Sequence, residues 1–554
     1  MTEIRRRWWK PGILVLLILL AAAWSRSEAK DERTNAYRQL QRFSEVLGRV
    51  QTEYVEETDI EDLVDEAIRG MLGSLDAHTQ YLGKKQYSDL MTGTQGSFGG
   101  LGIVISIRDK ILTVIAPIEG TPAHRMGIQG GDQILYIEGG STKGFTADDA
   151  VNLLRGPEGT EVTIKIRREG EAELLEYTIT RDIIKLKSVP YKYVTDDGVG
   201  YVRVSQFSKT TTRELDEAID SLEALGMSGL VVDLRSNPGG LLDQAVMVSD
   251  LFLDSGQMIT YTQGRKRNAN NRFYDQSDSR HRRYPLVVLV DEHSASASEI
   301  VSGAVQDWDR GLVVGRTTFG KGSVQSVIPL DESTGLKLTT AKYYTPSGRC
   351  IHRDEFDRED PDAVAGAAEK EGAEREIFHT NAGRSVYGGG GISPDIEIEQ
   401  RKMEALEARI ERRGLFFTFG VEYYPYHNIT EGWEPDEESV AQFEGFLKDK
   451  EVEYTAEEWT ESEPYIRNGI KRELYRKEFG DQAAYRVMTA YDTQLQGTFD
   501  LFRRAGDLDA LFALSEEWRL QREKEEDAAV AAGETAGDSL DVTVRAGESG
   551  AARE

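Results

Sequence analysis

The spacing of apolar positions changes several times along the chain, and each change marks a different kind of element. In residues 31–86 the apolar side chains Ile60, Leu63, Val64, Ala67, Ile68, Met71 and Leu72 recur at three- and four-residue intervals. That spacing predicts amphipathic helices. A loop from Asp76 to Leu82 closes the segment. Residues 87–182 switch to short β-type runs, Gly102–Ile107, Ile111–Ile115, Gln133–Ile137 and Val162–Ile166, with Gly and Asp turns between them and a short helix over Ala147–Leu154. In residues 183–400 the strands lose polar alternation. Runs at Tyr201–Val204, Gly229–Leu234, Leu286–Val290 and Leu312–Val314 are interleaved with helices near Thr211–Leu225, Leu241–Leu253 and Ser296–Trp308. Such runs predict an α/β layer with a largely covered sheet. Residues 353–376 are rich in Asp, Glu, Arg and Ala and read as a solvated loop insertion. Residues 401–522 return to helical spacing with aromatics such as Phe416, Phe417, Tyr423 and Tyr424. From about Glu523 small and acidic residues dominate, which predicts a disordered tail over 523–554.

The N-terminal 30 residues have a logic of their own. Arg5, Arg6, Arg7 and Lys10 precede an apolar run from Ile13 to Trp24, and Ala21, Ala22 and Ala23 offer small residues for cleavage. A basic region followed by a short apolar one is the pattern of an export signal or an uncleaved membrane anchor over residues 11–24. Both place residues 30–554 outside the cytoplasm. Length adds that the 554-residue chain exceeds one ordinary domain. A formal net charge of −29 argues against nucleic-acid binding, which needs a basic face. The single cysteine, Cys350, permits no internal disulfide. Seven scattered histidines, without CxxC or HExxH, give no zinc pattern, so no metal or other cofactor is expected.

Three segments carry candidate chemistry. Asp291-Glu-His-Ser-Ala-Ser-Ala-Ser-Glu299 lies between a strand and a helix, where backbone N–H groups are free to hold an oxyanion. Alone, Ser294, Ser296 and Ser298 read more simply as helix caps. Thr318-Phe-Gly-Lys-Gly-Ser-Val-Gln325 sets Lys321 between two glycines after a buried strand. To act as a base near neutrality, its amine would have to drop by about three pH units, roughly 4 kcal/mol, which desolvation can supply. Alone, it reads as a surface lysine on a turn. Val231-Val-Asp-Leu-Arg-Ser-Asn-Pro-Gly-Gly-Leu241 runs a buried strand into a glycine turn whose N–H groups can face a substrate carbonyl, or which is merely a connection. His293 stands three residues from Ser296, at the edge of the same turn, a poor place for the base of a Ser–His–Asp triad.

Together, the three motifs resemble the carboxyl-terminal processing, or tail-specific, protease family, over roughly residues 35–400. The resemblance implies a multidomain α+β fold: a ClpP/crotonase-like α/β core over 183–400, an inserted β-barrel-like PDZ domain over 87–182, a helical segment over 31–86 and a helical extension over 401–522. It implies Ser296 as nucleophile, Lys321 as general base and Gln325 orienting the lysine. The N–H of Ala297 and of Gly240, preferred over Gly239, would form the oxyanion hole. Glu299, Asp233 and Arg235 occupy motif positions and read as structural supports, since buried charges usually need partners. Ser97-Phe-Gly-Gly-Leu-Gly-Ile103 resembles a PDZ carboxylate loop, in which Phe98, Gly99, Gly100, Leu101, Gly102 and Ile103 would receive a peptide C-terminus and pair with its strand.

The expectation is therefore an exported serine endopeptidase of the bacterial cell envelope, acting on polypeptides with accessible C-termini. The alternative is a catalytically silent PDZ adaptor or scaffold; retention of Ser296, Lys321 and Gln325 argues against it. For residues 401–522 the resemblance says nothing, and contact with a second copy or a regulatory partner is the open reading.

Overall fold

Val, Leu and Ile in unbroken runs fit a pleated surface that is dry on both sides. The computed structural model describes residues 35–276, 283–353 and 376–532, and there these runs form one six-stranded sheet. Its strands, in spatial order, are β1 (Tyr191–Val194), β2 (Val199–Arg203), β3 (Gly229–Asp233), β4 (Leu286–Val290), β5 (Leu312–Gly315) and β6 (Ile396–Glu397). β2 through β6 are parallel, and β1 is an antiparallel edge. Every residue of β3 and β4 is buried.

Alternate residues of these strands serve two cores. Leu230, Val232 and Val288 face one side with α1 (Thr211–Ala224), α2 (Leu242–Asp250) and α3 (Ala297–Asp307), through residues such as Leu215, Val248 and Val301. Val231, Val287 and Leu289 face the other. There the cover comes from residues far along the chain, Tyr485, Leu495, Phe499 and Leu511.

These last residues belong to the C-terminal helices, α4 (Ala405–Arg413), α5 (Leu415–Tyr423), α6 (Glu437–Asp449), α7 (Ala456–Met488, broken at Gly480), α8 (Thr493–Arg504) and α9 (Leu508–Ala532). α4 to α7 share a core around Phe416, Phe443 and Ile470. α8 and α9 are part of the main fold, because without them one apolar sheet face would be wet. The expected disordered tail from Glu523 is corrected in part: α9 continues to Ala532. Its Glu, Lys, Arg and Ala are strong helix formers, and Arg519–Glu523 and Gln521–Glu525 pair one turn apart.

Residues 97–185 form a small β domain. Ile103–Arg108, Ile111–Pro117, Gln133–Ile137, Glu161–Arg167 and Leu175–Thr180 make an antiparallel sheet around Val114, Ile134 and Ile164, with the helix Ala147–Leu154 where the sequence places it. Ile103–Arg108 is an edge strand, paired within the described residues to Ile111–Pro117 alone. The domain touches the C-terminal helices at Gly130 and Gly131. Lys477 Nζ donates to Gly130 O at 3.1 Å, and burial lowers the lysine to about 8. A side chain on Gly131 would strike Val421 at 2.8 Å.

A separate compact unit comprises residues 35–82 with Val327–Leu338. It holds a helix over 35–53 and another over Ile60–Gly73. The predicted loop at Asp76–Leu82 ends as a strand, Gln80–Leu82, antiparallel to Gly335–Lys337. The signal or anchor segment, the 353–376 insertion apart from its ends, and the tail beyond 532 lie outside the described residues.

Leu289 is fully buried in the second core. Leu289→Ala is expected to lower unfolding free energy by about 2–5 kcal/mol, read as a lower urea midpoint with an unchanged slope.

Candidate active site

Three neighbouring parallel strands, β3, β4 and β5, end at the same rim, and each runs directly into one of the motif segments. This is where open parallel sheets place their ligands. β3 leads to Arg235–Gly240, β4 to Asp291–Ser296, and β5 to Thr318–Lys321.

Ser296 precedes the first residue of α3 and has φ 55° and ψ −108°, an unusual conformation for a side-chain-bearing residue. Its backbone carbonyl opens the helix, accepting from Glu299 N at 2.9 Å and Ile300 N at 3.0 Å. The flanking serines are consumed in structure: Ser294 Oγ donates to Leu234 O at 2.8 Å, and Ser298 Oγ to Asn237 O at 3.0 Å. The three serines that look equivalent in sequence therefore differ. Two tie turns together, and the middle one presents a half-buried hydroxyl.

One buried carboxylate holds the Ser296 and Lys321 segments in register. Glu299, fully buried, accepts from Ser296 N at 2.7 Å and Lys321 N at 2.9 Å through Oε2, and from Gly320 N at 2.7 Å and Thr318 Oγ1 at 2.6 Å through Oε1. Burial pushes this carboxyl up, and the four donors oppose the shift by favouring the ionised form. Tyr343, also buried, acts from the carbonyl side. Its single hydroxyl proton is shared between Lys321 O at 2.7 Å and Ser296 O at 3.0 Å. Desolvation raises the phenol well above its ordinary value, so it stays a donor. Ser296 and Lys321 thus have both N–H and C=O fixed by the same pair of side chains.

The glycine turn is organised by Asn237. Its Nδ2 donates to Val204 O at 2.8 Å, its Oδ1 accepts from Gly239 N at 2.9 Å, and its carbonyl accepts from Ala295 N at 3.0 Å. Gly239 N–H is therefore engaged. Among the described residues no hydrogen bond is found for Gly240 N–H or for Ala297 N–H, the latter in the first turn of α3. Gly239 has φ 94° and packs so closely that an added Cβ would lie 2.7 Å from Ala295 O and 2.9 Å from Ala297 N.

Gln325 lies on the strand Ser323–Pro329, and its Nε2 donates to Ser323 Oγ at 2.8 Å and Thr339 Oγ1 at 3.5 Å. His293 is exposed. Tyr343 was missed by sequence reasoning, since an aromatic in the run Leu336–Tyr344 looks like any strand residue. In the β domain, Phe98 lies in a strand under Arg155, with the guanidinium 4.6 Å from its ring. Gly99 O, Leu101 O and Gly102 O accept from Gly156, Ala123 and Ile118, while no partner is found for the N–H groups of Leu101 and Gly102 among the described residues. Gly100 and Ile103 complete the entry to the open edge strand.

Gly239→Ala is expected to destabilise the fold by about 2–3 kcal/mol through φ strain and the Ala295 clash, measured by chemical unfolding.

Comparison with known proteins adds the lineage. The Peptidase family S41 pattern matches residues 198–363, the PDZ domain pattern 113–168, and the pattern of the Activating protease CtpB N-terminal domain 20–86. A Carboxy-terminal-processing protease of Bartonella bacilliformis is 43% identical over 344 residues, covering 61% of this chain and 78% of that protein. The Carboxy-terminal processing protease CtpB of Bacillus subtilis is 35% identical over 339 residues, 60% of this chain and 69% of that one. A solved photosystem II D1 C-terminal processing protease aligns with 64% of this chain and 92% of its own at 27% identity, with a TM-score of 0.34. With its PDZ domain and S41 core, the chain belongs to the carboxy-terminal-processing proteases, a family of serine-type peptidases.

Proposed function

We propose that this peptidase works through a Ser296–Lys321 dyad and an acyl-enzyme, on polypeptides whose C-termini are gripped by its PDZ domain. The observation that carries the reading is Glu299, whose carboxylate accepts the N–H groups of both Ser296 and Lys321. A fold has little reason to bury a carboxylate to align two loops unless their side chains act together.

In this mechanism Ser296 Oγ attacks the scissile carbonyl while Lys321 Nζ, as the neutral amine, takes its proton. The tetrahedral oxyanion lies against the N–H groups of Gly240 and Ala297. Collapse breaks the C–N bond, and the Lys321 ammonium returns the proton to the leaving amine. Water, deprotonated by the same amine, adds to the ester carbonyl; the bond to Ser296 Oγ then breaks and the ammonium returns the proton to that oxygen. Gln325, on the strand following Lys321, limits the lysine's freedom on that side. In the PDZ domain the Leu101 and Gly102 N–H groups receive the terminal carboxylate, and the peptide extends the open edge from Ile103, beside Phe98, Gly99 and Gly100.

The reading extends to export into the cell envelope, with residues 11–24 as signal or anchor, and to residues 401–522 as a contact for a second copy or a regulatory partner.

Ser296→Ala and Lys321→Ala are each expected to cut turnover of an unfolded substrate by about 10⁴-fold with unchanged circular dichroism. Wild-type turnover in Ser296→Ala would sink the dyad. Glu299→Gln replaces an acceptor with an amide that confronts N–H donors; kcat is expected to fall about 10²-fold, and Tyr343→Phe about 10-fold, with KM little changed. A peptide with an amidated C-terminus is expected to bind the protein at least about tenfold more weakly than its free-acid form in calorimetry.

A further inference from the structure

Arg235 lies two residues past the end of β3, just before the Ser236–Gly240 turn, and its side chain is almost wholly buried. Its Nη2 donates to Asp233 Oδ2 at 2.7 Å and its Nε to Asp233 Oδ1 at 3.1 Å. Asp233 also accepts from Arg203 at 3.1 Å. The backbone of Arg235 belongs to the same cluster: its N–H donates to Asp233 Oδ1 at 2.9 Å, and its C=O accepts from Arg203 Nη2 at 2.9 Å.

Within the sheet this cluster has two guanidinium groups and one carboxylate. The second carboxylate comes from more than 250 residues later. Asp492 Oδ2 accepts from Arg235 Nη2 at 2.6 Å and Oδ1 from Arg235 Nη1 at 2.8 Å, a two-pronged pair. Gln494 Oε1 adds a third acceptor at 3.1 Å. Asp492 is held in turn by α8, which it caps through Leu495 N at 3.0 Å. A parallel link runs from Tyr485 OH to Tyr201 OH at 2.7 Å, and from Tyr201 OH to Asp233 Oδ2 at 2.7 Å.

We propose that Asp492 is a positioning residue for catalysis: the C-terminal helices supply the carboxylate that balances Arg235 and so fix the turn carrying Gly240. The inference rests on the assignment of Ser296 and of the Gly240 N–H given above. Its reason is electrostatic. Without Asp492, one buried guanidinium lacks a counter-charge and must move toward water or take the turn with it. An oxyanion donor displaced by a fraction of an ångström serves the transition state poorly while leaving remote substrate contacts intact. The C-terminal helices thus cover the sheet and also complete the active site.

The test uses the full-length protein. Asp492→Asn keeps the size and one acceptor oxygen and removes the charge. The expected result is a fall in kcat of about 10–50-fold with KM within about twofold of wild type, and an equal fall in the rate at which a fluorophosphonate labels Ser296. In an Arg235→Met background the same substitution is expected to cost nothing further. A kcat within twofold of wild type, or an undiminished loss in the Arg235→Met background, overturns the proposal. Should Asp492→Asn not fold, Tyr485→Phe removes only the hydroxyl bonded to Tyr201 OH, which in turn bonds Asp233 Oδ2. It is expected to lower kcat about threefold at constant KM, and an unaltered kcat counts against the proposal. Ser296→Ala run alongside separates the two readings. If it still turns over, the dyad falls; if it is dead while Asp492→Asn is unaltered, only the positioning role falls.

Discussion

A parallel sheet has two apolar faces, and neither can be left to water. Val231 and Val232 are neighbours in β3, yet they belong to different cores. One face is covered within the motif region by α1, α2 and α3. The other waits for Tyr485, Leu495, Phe499 and Leu511. That single requirement makes the C-terminal helices part of the fold and brings Asp492 to Arg235.

The same sheet sets the place of the chemistry. Parallel strands deliver their C-terminal ends to one rim, so three loops with unrelated sequences meet there. Alignment within the meeting is a local matter, and it is made from buried polar groups. Glu299 gathers N–H groups from two loops, Tyr343 gathers their carbonyls, and Asn237 ties the glycine turn to both the Val204 strand end and the serine loop. Each of these groups would be costly to bury alone. Paired, they leave Gly240 N–H and Ala297 N–H without a hydrogen-bond partner among the described residues, which is the condition for an anion site. The strained backbone of Ser296 is tolerated because both its N–H and its C=O are held.

The PDZ domain has a similarly simple physical basis. Among the described residues its edge strand Ile103–Arg108 is paired on one side only, and no partner is found for the N–H groups at Leu101 and Gly102 beside it. In the proposed reading a peptide end uses both features at once. Contact of Gly130 with Lys477 and of Gly131 with Val421 ties this domain to α7 and α5 of the C-terminal helices.

Much of this was legible in the sequence. Strand β4 and the helix Ala147–Leu154 lie where hydrophobic period alone places them, and the three motifs single out Ser296, Lys321 and the glycine turn because residue order and spacing are properties of the chain. The roles of the flanking serines were not legible: Ser294, Ser296 and Ser298 are chemically the same, and only the position of Leu234 O and Asn237 O separates them. Tyr343 and Asp492 were hidden for the same reason. Periodicity reports which side of an element is dry, so it determined the elements, the sheet and the motif loops. Which distant carboxylate or hydroxyl completes a buried charge cluster depends on three-dimensional proximity across hundreds of residues, and that only the tertiary structure decided.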